Sequence, residues 1–586
     1  MTPSRIASAL SVQRAPVSRC RWTLRALATP ALLLALTLPG ADLAAQGASA
    51  SEVKAVDAVF EDWQDAAGPG AAVAVTRDGR TIYSQGYGSA QLEYRIPVTP
   101  TTPFHVASVS KQFTTFAVAL LAHEGHLSWD DPVHDHLPDL PDLGDTVTLR
   151  QLANHTSGVR DQWELLIMAG WRIDDVITRD QIMDLMARQR ELNFEPGSEY
   201  LYSNMGYSLL AEVVEEVSGE GFADFLHERV FLPLGMHRTH VHDDHTHIVP
   251  GRAYSYRPDD SDAGWSEAVL NYANQGATSL FTTVEDLARW LAEMEEPAVG
   301  TEDLWAEMAE PARLNNGESA SYGLGLSVDS HRGLATQGHG GSDAGFRTNL
   351  LHFPEERLGV VVFGNAASFN AGSKARQVAE VFLEDEMDPR EENGLEPEPT
   401  VTVDADILEE LEGMYRVAED VMVTVEREGE ALSARMPDDE THELEAESDA
   451  TFWAPEPEGR FTFQRDEERR VEGLTFVHPE GGMQARRVEV EALSTDELRE
   501  YEGPYYSPEL DVVYRFEVED GELKANPPRQ PAVELFPLDR DRFGSSSWGL
   551  NTVEFIRDDD GEIDGFRASG GRVRNLRFHR VEDWDL

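Results

Sequence analysis

The residues with the clearest chemical potential are Ser108 and Lys111, which stand three positions apart. An apolar, helix-forming run follows at residues 117–121, so the two side chains are predicted to share one helical face. A serine hydroxyl is a weak nucleophile until a base takes its proton, and a desolvated lysine one turn away can be that base. The spacing therefore predicts a nucleophile with its base, although a surface lysine on an amphipathic helix would give the same pattern.

Lysine is rare in this chain, which makes Lys111 more informative. The 586 residues include 49 lysines and arginines, and only four of these are lysines. The other three are Lys54, Lys374 and Lys524. A chain that takes nearly all its positive charge from arginine nevertheless has a lysine one turn after Ser108. A four-residue motif can still occur by chance, so the functional interpretation also requires partner motifs elsewhere in the chain.

Two further motifs could complete such a site. In the first, Tyr202 and Asn204 lie on a loop that enters a helix. A tyrosine beside a lysine ammonium can have a lowered pKa and relay a proton, while an asparagine amide can hold a substrate carbonyl and orient the lysine. In the second, His339 and Gly341 precede Ser342, whose backbone amide could donate to an oxyanion. Each motif alone is equally compatible with an ordinary turn.

The three motifs occur along the chain in the order S-x-x-K, Y-x-N and H-x-G. With this set of motifs the chain resembles the serine β-lactamase-like superfamily, specifically the class C β-lactamases and D-aminopeptidase-like serine hydrolases. The resemblance covers roughly residues 53–383. Further matches are Leu-Ala-Asn-His-Thr-Ser-Gly at 152–158, Phe-Glu-Pro-Gly at 194–197 and Pro-Leu-Gly-Met at 233–236. The resemblance implies an α/β (α+β) sandwich of the penicillin-recognising serine hydrolase type, with an antiparallel sheet flanked by helices and a helical subdomain.

The resemblance also implies a role for each motif residue. Ser108 is expected to be the acylated nucleophile, with Lys111 and Tyr202 as its base system. Asn204 is expected to position substrate and Lys111. The backbone amides of Ser108 and Ser342 are expected to form the oxyanion hole.

His339 and Gly341 are expected to contact substrate, and His339 bears on substrate class. It stands where many β-lactamases place the lysine of K-T-G, so a group largely neutral at pH 7 replaces a permanent cation. This favours a peptidase, amidase or esterase over a true β-lactamase or penicillin-binding carboxypeptidase. No cofactor or metal is expected. A non-catalytic ligand- or peptide-binding protein on the same fold is the remaining alternative.

Other histidines are given structural interpretations. In the resembling family, the stretch containing His155 is a turn near the site. A local group between residues 237 and 247 could bind zinc, but a polar loop is the preferred interpretation because no cysteine supports a metal site. The members of that group are His237, His240, His242, His245 and His247.

The N-terminus resembles an export signal. Arginines precede an apolar run at 26–38, and small residues follow at 41–46, which predicts a signal peptide over residues 1–46 with cleavage near Ala45. The protein would then be periplasmic or secreted, with an uncleaved membrane anchor as the alternative. Cleavage would remove Cys20, the only cysteine, and no later segment is apolar enough to span a bilayer.

The remaining chain divides into a hydrolase domain and a β-rich tail. Residues 47–387 form the expected hydrolase domain, and the acidic, proline-rich stretch 388–403 is the expected linker. Beyond it, an internal repeat with an offset near 90 residues predicts two small antiparallel β-barrel domains, 404–492 and 493–586, which vaguely resemble lipocalin-like domains. One larger β-sandwich is the alternative.

The composition is strongly acidic, with a net charge of −58 and a pI near 4.5. Such a chain should repel nucleic acid and anionic membranes. The acidic composition has two interpretations. The preferred one is a solvated acidic surface suited to high salt, and the other is an electrostatic funnel for cationic substrates. The expected partner is a small-molecule or short-peptide substrate, and the sequence leaves the oligomeric state open.

Overall fold

A turn signal in the sequence accounts for the first strand pair. In the computed structural model, strands Ala71–Arg77 and Arg80–Tyr87 are joined by a tight turn in which Asp78 and Gly79 have φ values of 51° and 68°. Turns with two positive φ values match the twist of antiparallel strands, and Asp-Gly is a favoured pair for them. In the sequence, the turn residues 77–80 between the stretches 71–76 and 81–86 predict a hairpin here, and the structure confirms it.

The structure describes residues 47–259, 261, 264–389, 397, 399–418, 421–429, 431–436, 441–455, 459–466, 468–478, 481–488, 493–547 and 549–582. The predicted signal peptide lies outside the described residues, as does half of the predicted linker.

A six-stranded antiparallel sheet forms the centre of the first domain. In sheet order its strands are Ser327–His331, Leu334–Asp343, Phe346–Phe353, Leu358–Gly364, Ala71–Arg77 and Arg80–Tyr87. The two neighbouring strands Leu358–Gly364 and Ala71–Arg77 are apolar on both faces and almost completely buried. Such continuous apolar strands are expected where helices cover both faces of a sheet.

Helices from both ends of this domain cover one face of the sheet. Ala50–Val59 and Ala371–Leu383 pack together there, and the second helix begins where the Asn370 side chain accepts a hydrogen bond from the Ser373 amide at 2.8 Å. On the opposite face, Val284–Glu295 packs against the sheet. The predicted flanked sheet is therefore confirmed.

The first helix is shorter than the sequence pattern predicts. The pattern of residues 51–66 predicts an amphipathic helix, but the helix ends at Val59 and a 3-10 turn, Glu61–Trp63, follows. At the junction, Phe60 is fully buried and stacks on Tyr87 with ring centroids 4.8 Å apart. The helix therefore ends at the point where the Phe60 ring packs on the hairpin strand Arg80–Tyr87.

A mostly helical region lies between the two parts of the sheet. Its helices are Ala107–Ser110 (3-10), Lys111–His123, Val133–His136, Leu149–Ala153, Gln162–Met168, Arg179–Arg188, Asn204–Ser218, Phe222–Leu226, His227–Phe231 (π), Leu232–Leu234, Val284–Glu295 and Glu302–Met308. Its short strands are Ser89–Gln91, Ile96–Pro97, Phe104–His105, Ile177–Thr178, His240–Val241, Tyr256–Pro258, Trp265–Glu267, Tyr272–Ala273 and Leu280–Thr282.

The C-terminal tail forms two closed eight-stranded barrels, which excludes the single larger sandwich. Short helices, Ala405–Leu411 and Thr495–Leu498 with the 3-10 turn Arg499–Tyr501, precede them. The first barrel comprises Gly413–Ala418, Val421–Glu428, Ala431–Arg435, Thr441–Ala446, Thr451–Ala454, Gly459–Arg465, Val471–His478 and Gly481–Arg487. The second comprises Gly503–Ser507, Val512–Glu519, Glu522–Asn526, Val533–Pro537, Arg542–Gly544, Thr552–Arg557, Ile563–Gly570 and Val573–Arg580.

The internal repeat appears as repeated contacts in the two barrels. In the first barrel, the Tyr415 hydroxyl donates to the Leu411 carbonyl at 2.6 Å. In the second, the Tyr505 hydroxyl donates to the Tyr501 carbonyl at 2.9 Å. In each barrel an arginine of the last strand covers this tyrosine ring, with distances of 5.9 and 5.8 Å to the centroids. The two barrels are therefore structural copies as well as sequence copies.

The second barrel packs directly on the helical region. Its buried apolar residues are contiguous with the core of the first domain, whereas those of the first barrel form a separate cluster. The buried Arg160 guanidinium pairs with Glu509 of the second barrel at 2.8 Å. In four other pairs the barrel supplies the arginine and the helical region supplies the acidic residue. These pairs are Arg529–Asp175, Arg572–Glu164, Arg574–Glu199 and Arg577–Glu191.

Within the described ranges, no helix combines the length and the apolar character needed to cross a membrane.

Candidate active site

The nucleophile turn is held in an unusual backbone conformation. Ser108 lies in the 3-10 turn Ala107–Ser110, and Ala107 has a φ of 48°, which is uncommon for a residue other than glycine. Gly341 passes close to this turn, since a Cβ there would lie 2.3 Å from the Val106 carbonyl oxygen. A glycine at this position therefore lets the strand Leu334–Asp343 approach the nucleophile.

Lys111 is completely buried, and its amine has three close neighbours. Nζ lies 2.7 Å from Asn204 Oδ1, 2.8 Å from the Ala277 carbonyl oxygen and 3.1 Å from Ser108 Oγ. Burial lowers the pKa of Lys111 to about 7. In the neutral amine, two N–H groups donate to Asn204 and Ala277, and the lone pair is left facing the Ser108 hydroxyl.

The orientation of the Asn204 amide follows from a buried carboxylate. Asp161 Oδ2 accepts from both the Asn204 amide nitrogen Nδ2, at 2.8 Å, and the Asn204 backbone N–H, at 2.6 Å. Because Nδ2 faces this carboxylate, the carbonyl oxygen of the amide must face Lys111. Asp161 also caps the helix Gln162–Met168 by accepting from the Trp163 amide at 2.8 Å.

Tyr202 lies over the same amine, with its ring centroid 4.8 Å from Lys111 Nζ, and it shares a hydrogen bond with Ser108. The expectation of a lowered pKa for Tyr202 is wrong. Burial raises its pKa above the ordinary value, which outweighs the hydrogen bond with Ser108 and the charge of Arg572. Tyr202 is therefore a phenol that can pass a proton, and Lys111 is the group that can accept one near neutral pH.

His155 supports Tyr202 rather than reacting itself. It is fully buried, its Nδ1 accepts from the Ser203 amide at 3.0 Å, and its ring lies 4.1 Å from the Tyr202 ring. Burial lowers the pKa of His155 well below its usual value, so the ring is neutral. The structure thus agrees with a structural role for this turn.

His339 is a neutral histidine in the wall of the cleft. Its Nδ1 lies 2.5 Å from the Gly340 carbonyl and therefore donates, which leaves Nε2 to accept from the Tyr322 hydroxyl at 2.8 Å. Burial lowers the pKa of His339 to about 3. His339 consequently brings no positive charge to the cleft at neutral pH.

The predicted site residues line one cleft of about 910 Å³. Of these residues, Ser108, Tyr202, Asn204, His339, Gly341 and Ser342 line the cleft directly. Lys111 lies beneath them in contact with Ser108. The oxyanion-hole role of the Ser108 and Ser342 amides remains a prediction.

A second cavity of about 720 Å³ adjoins this cleft and shares Trp163, Asp343 and Arg572 with it. Its walls include the aromatic residues Trp171 and Tyr272. Burial raises the pKa of Asp343 to about 6, so this carboxylate is largely ionised at neutral pH. The combination offers an apolar surface and an anion beside the nucleophile.

Sequence reasoning missed Asp161, Glu164, Asp343 and Arg572. Asp343 follows directly after the His-x-Gly motif and Ser342, which is a weak positional signal. An aspartate before a helix, as at position 161, is an ordinary capping residue in a sequence. Arg572 belongs to the second barrel, and nothing in the sequence places it beside Ser108.

The histidine cluster shows no metal site. Among the described residues, no group of three or more histidine, cysteine or acidic side chains is arranged to hold a metal ion. His240 and His247 instead stack with ring centroids 5.3 Å apart, and His240 also stacks on Phe281 at 5.8 Å.

The buried position of Lys111 beside Ser108 predicts that kcat/KM depends on pH. The predicted role of Lys111 as base requires its neutral amine, which predominates above its pKa of about 7. We therefore expect kcat/KM to rise with pH through about 7 and to level off above it. The measurement is a kcat/KM profile at constant ionic strength, because the large negative charge makes surface electrostatics sensitive to salt. A profile that is flat through neutrality would contradict the assignment of Lys111 as base.

Comparison with known proteins agrees with this geometry. Residues 56–383 match the family model described as Beta-lactamase. The D-aminopeptidase of Gluconobacter oxydans (strain 621H) is 31% identical over 303 residues, which are 51% of this chain and 56% of that protein. The D-aminopeptidase of Brucella anthropi is 31% identical over 316 residues, or 54% and 59% of the two chains. The chain thus spans a little over half the length of these curated relatives.

Solved structures show the same fold at lower identity. The octameric penicillin-binding protein homologue from Pyrococcus abyssi has a TM-score of 0.52 and 22% identity, covering 74% of this chain and 99% of that chain. The D-amino acid amidase from Ochrobactrum anthropi SV3, complexed with L-phenylalanine, has a TM-score of 0.50 and 23% identity, covering 57% and 99%.

Proposed function

Because the chain belongs to the beta-lactamase family, we propose that it is an exported serine hydrolase that works through an acyl-enzyme on Ser108. Its proposed substrates are amides or esters of small peptides, D-amino-acid derivatives or simple acids. The names of the D-aminopeptidase relatives support the peptidase or amidase side of this proposal. Export rests on the basic, apolar and small-residue pattern of residues 1–46.

The observation that carries the proposal is the environment of the Lys111 amine. Two carbonyl oxygens, on Asn204 and Ala277, occupy both N–H groups of the neutral amine, and Ser108 Oγ lies 3.1 Å from its nitrogen. In its neutral form, an amine held in this way turns its lone pair towards the hydroxyl proton of Ser108. A protein that merely binds a ligand has no need of a buried lysine with a pKa of about 7 beside a serine.

The proposed reaction has two halves. Ser108 Oγ attacks the substrate carbonyl carbon while its proton passes to Lys111, and the amides of Ser108 and Ser342 stabilise the oxyanion. The C–N or C–O bond then breaks as the leaving group takes a proton, directly from Lys111 or through the Tyr202 hydroxyl. A water molecule then attacks the acyl carbon while Lys111 takes a proton from that water. The bond between the acyl carbon and Ser108 Oγ breaks, Oγ takes the proton back from Lys111, and the carboxylic acid is released.

The cavity beside the nucleophile supports a substrate with an apolar side chain and a free amine. Trp163, Trp171 and Tyr272 supply aromatic surface, and the largely ionised Asp343 can accept an ammonium group. The neutral His339 argues against recognition of a carboxylate at that position, as in a true β-lactamase or penicillin-binding carboxypeptidase. Arg572 also lines the cleft, so β-lactams belong in the substrate test.

The test is a substrate comparison with the complete chain. We expect p-nitroanilides of D-amino acids with apolar side chains to be hydrolysed faster, by kcat/KM, than their L-enantiomers and than nitrocefin. p-Nitrophenyl acetate reports acylation without side-chain recognition and serves as the reference substrate. Preference for nitrocefin would favour the β-lactamase alternative. Absence of acylation by every ester, amide and β-lactam would favour a non-catalytic binding protein.

A further inference from the structure

The second barrel places one side chain inside the candidate active site. Arg572 lies in the two-residue turn between strands Ile563–Gly570 and Val573–Arg580. Its backbone carbonyl accepts from Asn193 Nδ2 at 2.8 Å and from the Asp161 amide at 3.4 Å. The turn is therefore fixed to the helical region at the residue that reaches the cleft.

The guanidinium of Arg572 faces two buried carboxyl groups, those of Glu164 and Asp161. Its Nε donates to Glu164 Oε1 at 2.6 Å, and its Nη2 lies 3.5 Å from Asp161 Oδ1. Both carboxyl side chains are fully buried. Its Cζ lies 5.5 Å from the centroid of the Tyr202 ring. Burial and the neighbouring Asp161 raise the pKa of Glu164 well above its usual value, so the ionised member of this pair is Asp161. A buried carboxylate stays ionised only with a close cation or several donors, so the charge of Arg572 acts chiefly on Asp161.

A continuous path of contacts joins this guanidinium to the nucleophile. It runs from Arg572 to Asp161, from Asp161 to the Asn204 amide, from that amide to Lys111 Nζ and from Nζ to Ser108 Oγ. We propose that Arg572 is a positioning residue that acts through Asp161 and Asn204 to hold the Lys111 lone pair towards Ser108. The inference rests on the proposed function and adds that the second barrel completes the base system.

The direction of the Asn204 amide explains how such an effect is transmitted. The amide presents Nδ2 to Asp161 and Oδ1 to Lys111, and this arrangement needs an acceptor at Asp161. Burial favours the protonated form of Asp161, but the charge of Arg572 and several hydrogen bonds outweigh burial and hold its pKa below the usual value. Without the guanidinium, burial would favour protonation of Asp161. A neutral carboxyl group accepts from Asn204 Nδ2 more weakly and can also donate, so the direction of the Asn204 amide would no longer be fixed.

Several charged or titratable groups act on Lys111 besides Arg572. Asp343 and Asp161 favour its protonated form, whereas Arg572 favours the neutral form. The others are the neutral rings His155 and His339 and the phenols Tyr202 and Tyr207. Loss of Arg572 removes an influence that favours the neutral amine, but the protonation of Asp161 that follows removes a larger influence that favours the ammonium. The rising limb of the kcat/KM profile should therefore move to lower pH.

The test is Arg572→Gln in the full chain. We expect kcat to fall about 10- to 100-fold, the cost typical of a misplaced catalytic group. We also expect the rising limb of the pH profile to move to lower pH, because protonated Asp161 no longer favours the Lys111 ammonium, with a smaller change in KM. Arg574→Gln is the matched control, because Arg574 lies two residues further on, in the strand that follows the turn, and pairs with Glu199 at 2.9 Å. The Arg574→Gln variant should have the kcat of the wild-type protein, and the rising limb of its pH profile should stay at the wild-type pH.

Further variants separate positioning from folding. Arg572→Lys should recover part of the lost kcat, since it restores a cation near Asp161. If Arg572→Gln does not fold, the double variant Glu164→Gln/Arg572→Gln removes one of the two buried carboxyl groups and is measured in its place. An unchanged kcat and pH limb in a folded variant, or a change in KM alone, would overturn the inference. Failure of the wild-type protein to form any acyl-enzyme would instead refute the proposed function.

Discussion

Replacing Ser108 by alanine is expected to lower kcat by at least about 10⁴-fold for amides and esters alike, because no group remains to form the acyl-enzyme. Fluorophosphonate labelling of the protein should disappear with it. The fold should persist, since the Ser108 side chain lies partly exposed at the cleft rather than in the core. The measurements are kcat for p-nitrophenyl acetate and a D-aminoacyl p-nitroanilide, together with labelling of purified protein.

Ser110→Ala is the matched control for this prediction. Ser110 lies in the same turn, but its hydroxyl accepts from the Leu280 amide at 3.2 Å rather than facing Lys111. This variant should keep its labelling and most of its activity. Retained labelling in Ser108→Ala would show that another nucleophile reacts and would remove the basis of the proposed mechanism.

Replacing Lys111 by methionine is expected to lower kcat/KM by about 10³-fold, the range typical for loss of a general base. Methionine keeps an unbranched side chain of similar length in this fully buried position, so the loss is chemical rather than a matter of volume. The rising limb near pH 7 should vanish as well, since the group that produces it is gone.

Lys374→Met is the control for this second change. Lys374 lies on the helix Ala371–Leu383, where its amine donates to the Val59 carbonyl at 2.8 Å, on the sheet face opposite the nucleophile helix. Its replacement should leave kcat/KM and the pH profile unchanged. If Lys111→Met kept the rising limb, another group would have to be the base, and Lys111 would be reduced to a structural role.

The motif residues could be predicted from sequence because each lies in a short pattern with a chemical meaning. Ser108, Lys111, Tyr202 and Asn204 come together as the spacing and the family resemblance imply. The protonation state of Tyr202 could not be predicted, because it depends on how completely the fold removes that side chain from water. Burial of a single side chain is a tertiary property.

The contribution of the second barrel lay beyond sequence reasoning for a related reason. The repeat predicts two barrels, and the structure has them. It says nothing about which barrel packs on the helical region or which turn reaches the cleft. Arg572 is one of many arginines in the chain, and only docking of its turn against Asn193 and Asp161 distinguishes it.

Local signals fixed some boundaries better than others. The Asp-Gly turn placed the first hairpin, because two positive φ values leave few alternatives. The first helix was overestimated, since the apolar pattern continues past Phe60 although its ring packs against Tyr87. Helical periodicity marks which residues are buried, but it does not reveal where the chain turns to bury them.

The central claim is that Ser108 carries the acyl group during turnover. Intact-protein mass spectrometry after rapid acid quench of the full chain with p-nitrophenyl acetate, followed by peptide mapping, tests it most directly. We predict a mass increase equal to one acetyl group, located on the peptide that contains Ser108 and missing in Ser108→Ala. An acetyl group on another residue, or turnover without any covalent adduct on a burst-phase timescale, would contradict the account.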